Sequence, residues 1–399
     1  MHYSSQDIIN LTEDYCAHNY HPLDIVLAKA KGVWVWDVEG NRYLDMLSAY
    51  SAMNFGHGNK RLINAAKKQL KRMTLSSRAF FNDQLGLLAE GLCKLAKKDM
   101  MLPMVSGAEA VETAIKAVRR WGYEVKGVEA DKAEIICFAG NFAGRTTTII
   151  SFSDVSQYQR DFGPFTPGFK IAKFGDIDSV KALVSKNTVG ILFEPIQGEG
   201  GINVPPKGFI KELRELCDSE KFLMIADEIQ TGLCRTGKIF ACEHEGIVPD
   251  IYIIGKSLGG GITPISAVLA NKDVLGLFEP GSHGSTFGGN SLACAIAREV
   301  IDLINEEEPH ENAQRLGNWL IKKLISIKSP AIKEVRGKGL MIRVEINPEF
   351  GTAWDYCQKL KKLGVLCKDT RTQVMRLAPP LVIKKKELQY ALQKITSLF

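Results

Sequence analysis

Apolar residues in this chain gather into short unbroken runs. Residues 134–139, 188–194, 222–227, 251–255 and 266–270 each form one, built mainly from Ile, Leu, Val, Phe and Ala. Runs this short and this apolar predict strands covered on both faces. Between several of them the spacing changes to that of a helix, as at 107–121 and 207–219. From about Asn59 onward this alternation predicts an α/β fold with a mostly parallel central sheet. After about Asn290 the pattern shifts. A long helical stretch, 291–307, leads into mixed helices and strands up to Phe399. Near the start, Val33-Trp34-Val35-Trp36-Asp37 followed by Glu39-Gly40-Asn41 reads as a strand entering a hairpin turn. The expected organisation is an N-terminal segment, 1–49, packing with the small domain; a large domain, 50–289; and a small α+β domain, 290–399. The chain has no evident repeat or low-complexity linker.

Composition excludes several classes. At 45% hydrophobic and 24% charged, the chain is ordinary for a globular protein with a sizeable core. The net charge of +6 is spread along the chain. Its longest basic run, Lys384-Lys385-Lys386, is followed by Glu387 and reads as a solvated helix start, so no nucleic-acid partner is expected. No apolar run reaches the roughly 18 residues of a membrane span. The first residues show no basic region followed by an apolar core, so no signal peptide is expected. Nine cysteines without a Cys-x-x-Cys pair argue for reduced thiols, a cytoplasmic location and no structural metal site.

The chemistry lies at strand ends. Three runs finish in an ionisable residue: Glu194, Asp227 and Lys256. One such residue alone reads as a surface charge. Ligands of open α/β sheets bind beyond the carboxyl ends of the strands, so three together are expected to share one crevice. Lys256 stands in Ile254-Gly255-Lys256-Ser257-Leu258-Gly259-Gly260-Gly261. Burial disfavours an ammonium and leaves a nucleophilic amine, as Schiff-base chemistry with a carbonyl requires. The competing reading is a phosphate-binding lysine, but no Gly-x-x-x-x-Gly-Lys-Ser/Thr motif precedes it. A buried Asp227 needs a cationic partner, and a protonated pyridine nitrogen is one. Ile229 is then expected under the ring and Gln230 at its hydroxyl oxygen, with Glu228 facing away. Ser106-Gly107-Ala108-Glu109 is a capping box opening an amphipathic helix. By itself it is a cap; beside Lys256 and Asp227 it becomes the expected phosphate seat.

With Phe193-Glu194-Pro195-Ile196-Gln197-Gly198-Glu199-Gly200-Gly201, residues 225–237 and His283-Gly284-Ser285-Thr286-Phe287-Gly288-Gly289-Asn290, these residues resemble the class III aminotransferases. Those are fold type I enzymes dependent on pyridoxal 5'-phosphate (PLP), and the resemblance covers nearly the whole chain. Within the family the chain is most similar to the ornithine aminotransferases. Ala17-His18-Asn19-Tyr20-His21-Pro22-Leu23, Leu47-Ser48-Ala49-Tyr50-Ser51-Ala52, Gly140-Asn141-Phe142-Ala143-Gly144-Arg145-Thr146 and Met375-Arg376-Leu377-Ala378-Pro379-Pro380-Leu381 carry that part.

The resemblance implies transfer of the δ-amino group of L-ornithine to 2-oxoglutarate. The products are glutamate and glutamate 5-semialdehyde, which cyclises to pyrroline-5-carboxylate. It implies that Phe142 stacks on the ring opposite Ile229, and that Thr286 reaches the cofactor phosphate of the neighbouring subunit in a homodimer with shared sites. Arg145 would bind a substrate carboxylate, Glu199 and Arg376 would form a switchable ion pair, and Tyr20 and Tyr50 would contact ornithine. Two positions depart from the pattern. Ala143 stands where ornithine aminotransferases commonly carry tryptophan, and Val105 replaces a usual polar residue. Acetylornithine or 4-aminobutyrate are therefore the alternative donors, although the Tyr50 hydroxyl suits the charged α-amino group of free ornithine. A PLP-binding regulator without turnover would need a DNA-binding module for which no domain is spare.

Overall fold

Each predicted apolar run is a strand in the computed structural model, which describes residues 3–399. The strands are Glu134–Phe138, Thr188–Phe193, Leu223–Asp227, Ile251–Ile254 and Ser266–Ala270. All residues of the last four are buried, as cover on both faces requires. Met100–Met104 and Phe169–Ala172 complete a seven-stranded sheet. Its order is Met100–Met104, Ser266–Ala270, Ile251–Ile254, Leu223–Asp227, Thr188–Phe193, Glu134–Phe138, Phe169–Ala172. Neighbours from Ile251–Ile254 to Phe169–Ala172 are parallel, and Ser266–Ala270 is antiparallel to both of its neighbours. Pro103 is tolerated because its strand lies at the sheet edge.

Helix Gly107–Glu124 begins where the capping box predicts. The Ser106 hydroxyl accepts from the Glu109 amide at 3.1 Å, and the Glu109 carboxylate accepts from the Ser106 amide at 3.0 Å. Its buried stripe, Ala110, Val111, Ala114, Ala117 and Val118, lies on the sheet. Gly122 lets the helix sit close, because a Cβ there would fall 2.2 Å from Val189 Cγ1. Helix Ser291–Glu307 has the predicted bounds and packs on helices Lys60–Leu70 and Leu85–Ala96. Each fully buried aliphatic side chain on it contributes roughly 1.5–3 kcal/mol.

The two ends of the chain meet in one sheet. Trp34–Asp37 pairs with Arg42–Asp45 across a turn in which the Asp37 carboxylate accepts from the Asn41 amide, the Asn41 side chain and the Tyr43 hydroxyl. Val365–Leu366 then pairs parallel with Arg42–Asp45. A separate four-stranded antiparallel sheet, Ile332–Lys338, Met341–Ile346, Val374–Leu377 and Lys368–Thr370, carries Arg376. Lys384, Lys385 and Lys386 are exposed at the start of helix Lys385–Thr396. Among the described residues no helix is long and apolar enough to cross a membrane.

Candidate active site

The carboxyl ends of three adjacent parallel strands bring Glu194, Asp227 and Lys256 to one cavity of ≈ 230 Å³. Gly107, Ala108, Phe142, Ala143, Gly144, Ile229, Gln230 and Thr231 complete its lining. Lys256 follows Gly255 and takes a left-handed backbone, φ 44°. For a lysine this costs about 1–2 kcal/mol, and such strain persists only where neighbours hold it. Here the Leu258 amide donates to the Gly255 carbonyl at 3.0 Å, and Asn54 donates to the Ser257 hydroxyl at 3.2 Å. Burial holds the Lys256 amine below the ordinary lysine range, opposed in part by Glu199, Asp227 and Glu194. Among the described residues its Nζ makes no hydrogen bond or ion pair.

Burial likewise raises the Asp227 carboxyl to about 6, against a 3.0 Å hydrogen bond from the Ile229 amide and the nearby Lys256. Its other oxygen receives no hydrogen bond from the described residues. Burial and then the charge of Asp227 push Glu194 up to about 8, although it accepts from the Phe142 amide at 2.9 Å and the Gly198 amide at 3.0 Å. A cation beside Asp227 would relieve this shortage of positive charge. Glu228 faces away, as expected, and accepts from Thr231 and from the amides of Ala241 and Cys242.

These features fit PLP. There is an unpartnered amine on a half-buried lysine, a buried acid with one uncommitted oxygen, and a helix start whose Gly107 and Ala108 amides have no acceptor among the described residues. Ile229 packs against Gly107, where a Cβ would meet its Cδ1 at 3.0 Å. Gln230 lies over Gly198, where a Cβ would fall 1.5 Å from its Oε1. The Ser106 side chain is turned back to its helix, while its carbonyl accepts from Ser266 at 2.6 Å.

The expected substrate residues lie outside the cavity lining. Arg376 is buried and ion-paired with Glu199, and its guanidinium carbon stands 4.8 Å from the centre of the Tyr50 ring. Tyr50 sits in a run, Ser48 to Ser51, in which every φ is positive. Burial raises its hydroxyl pKa; Arg376 opposes this, and charge on Glu199 and Tyr20 adds to it. Tyr20 itself is exposed. Arg145 is also exposed, with its guanidinium 3.5 Å from the centre of the Tyr158 ring. Nothing in the sequence singles out Tyr158, since the stack depends on a tertiary contact. Thr286 is exposed and does not line the cavity of its own chain. Its loop is tethered by His283, which contacts Thr113 at 2.8 Å and Lys116 at 2.9 Å.

A mostly parallel sheet with a strand-end lysine facing a buried aspartate is the arrangement of a large group of cofactor-dependent enzymes. The chain belongs to the class III aminotransferases, whose family model, aminotransferase class-III, matches residues 15–399. It is 57% identical over 393 residues to ornithine aminotransferase of Geobacillus sp. (strain WCH70), covering 98% of each chain. The structure superposes with a TM-score of 0.98 on ornithine aminotransferase from Toxoplasma gondii, a structure with partial occupancy of PLP at the active site. Identity there is 43%, over 99% of this chain and 94% of that one. Acetylornithine aminotransferase from Elizabethkingia anophelis aligns with a TM-score of 0.90, also at 43% identity, over 99% and 98%.

Proposed function

We infer that this protein is a PLP-dependent ornithine aminotransferase, moving the δ-amino group of L-ornithine to 2-oxoglutarate. The observation that carries this beyond the family is the Glu199–Arg376 pair beside Tyr50. The enzyme must accept two substrates in turn. Ornithine reacts through its δ-amine and carries one remote carboxylate; glutamate reacts through its α-amine and carries two. Arg145, without an ion-pair partner among the described residues, serves a carboxylate in either case through its planar fork. Arg376, masked by Glu199, serves the second carboxylate only when one is present.

Lys256, Asp227, Phe142, Ile229, Gln230 and the amides after Ser106 would hold PLP, which supplies a carbonyl for amino groups and an electron-withdrawing ring. Asp227 would keep a proton on the ring nitrogen. The Lys256 amine would carry the proton to and from the substrate carbon. A panel of amine donors with 2-oxoglutarate, scored by glutamate formed, is expected to rank ornithine first. Preference for acetylornithine or 4-aminobutyrate would overturn the assignment.

Glu199→Ala is expected to leave Arg376 unmasked. Against bound ornithine the guanidinium then has no anionic partner, and the ornithine half-reaction slows by about tenfold or more, the scale of an unpaired buried charge. The glutamate half-reaction is kept or improved. Single-turnover rates for each half decide it, and equal slowing of both would make Glu199 a structural residue.

The active unit is a homodimer in this reading. Phe80, Phe81 and Phe287 are exposed, and the segments that carry them are joined where the Asn82 side chain donates to the Gly289 carbonyl and the Leu292 amide donates to the Thr74 carbonyl. Exposed aromatic rings on joined segments support this reading. Hybrid dimers of Lys256→Ala and Thr286→Ala subunits are expected to recover activity above either parent, because both defects fall in one site. Absence of recovery counts against a shared site. Nine free cysteines, seven of them buried, accord with a reducing cytoplasmic setting.

A further inference from the structure

The Glu199 loop closes between Gln197 and Asn203, whose backbones exchange hydrogen bonds of 3.1 and 3.0 Å. Between them the chain turns through Gly200, Gly201 at φ 110° and Ile202 at φ 52°. A β-branched residue in the left-handed region is an outlier, so the turn must be held from outside. The Asn203 side chain does this. Its Nδ2 donates to the Gly200 carbonyl at 2.9 Å and to Gln197 Oε1 at 3.2 Å. Its Oδ1 accepts from Arg336 at 2.7 Å and from Arg343 at 3.1 Å. Two donors and two acceptor sites are thus all engaged, a combination only an amide side chain offers.

The two arginines come from neighbouring strands of the sheet that carries Arg376. Arg343 stands directly opposite Arg376 in the antiparallel register and also donates to the Gly201 carbonyl at 3.0 Å. Its own charge is met by Glu334 and Glu345. Thr370, from a third strand of that sheet, donates to the Glu199 carbonyl at 2.8 Å. The backbone of the acid and the strand of the base are therefore fastened to one another.

We propose that Asn203 is the positioning residue of the Glu199–Arg376 switch. It fixes the Glu199 backbone, so that masking and unmasking Arg376 is a rotation of the Glu199 side chain alone. This role rests on reading Glu199 as a switch.

In the holoenzyme, Asn203→Ala is expected to slow the ornithine half-reaction by about tenfold, the scale of several lost hydrogen bonds. The glutamate half-reaction should stay within about twofold, with cofactor absorbance unchanged. In cofactor-free protein the amides of Gly201 and Ile202 should exchange with solvent faster. Placed in a Glu199→Ala background, the same substitution should change neither half-reaction by more than about twofold, because Asn203 acts through Glu199. Equal slowing of both halves, or undiminished slowing in that background, would overturn the role. Arg336→Gln removes one of the four bonds from a partly exposed residue. If Asn203→Ala does not fold, it carries the same expectations at about two- to threefold. If Glu199→Ala itself leaves the ratio of the halves unaltered, the switch reading falls. If Glu199→Ala splits the halves and Asn203→Ala does not, only the positioning role falls.

Discussion

Lys256→Ala is expected to bind PLP without a covalent bond and to lose turnover by roughly 10⁴-fold or more, since one side chain supplies both the attachment and the base. The expectation follows from position. Lys256 stands at the end of a fully buried strand, on a left-handed backbone, with its amine held low by burial against the opposing charges of Glu199, Asp227 and Glu194. A lysine elsewhere on the surface keeps its proton and is a poor nucleophile at neutral pH. Borohydride reduction of the wild type followed by peptide mapping checks the attachment. A pyridoxyl label on any other lysine overturns it.

Asp227→Asn is expected to lower turnover by about 10²-fold or more while the fold is kept. The amide has the shape of the carboxyl group and its oxygen still accepts from the Ile229 amide. What disappears is the negative charge proposed to hold a proton on the ring nitrogen. Asp227 is raised to about 6 by burial, and a pyridinium beside it would favour the ionised form, so that acid and ring would stabilise one another's charge. Steady-state rates of the PLP-loaded variant measure the effect, and near wild-type turnover would show that the carboxylate has another task.

Much of this arrangement is legible before any tertiary contact is known. The five central strands announce themselves because cover on both faces demands unbroken apolar runs. Helix Ser291–Glu307 shows in its periodicity, and helix Gly107–Glu124 in its cap. The two edge strands, Met100–Met104 and Phe169–Ala172, are partly exposed and lack that signal. The roles of Glu199, Arg376, Tyr50 and Thr286 came from family resemblance, since no local pattern reveals them.

The sequence by itself determined the five central strands, the capped helix Gly107–Glu124 and the expectation that Glu194, Asp227 and Lys256 meet at strand ends. Burial, capping and strand ends are written in residues a few positions apart, and adjacent parallel strands bring their carboxyl ends together. Tertiary structure alone decided the stack of Arg145 on Tyr158, the four bonds of Asn203 and the alignment of Arg343 with Arg376. It also decided that Ser48, beside Tyr50, bonds the carbonyl of Ala378, 330 positions away. Such contacts depend on register between distant strands and on loops whose polar residues have many equally suitable local partners. Only the closed packing of the chain leaves each of them one choice.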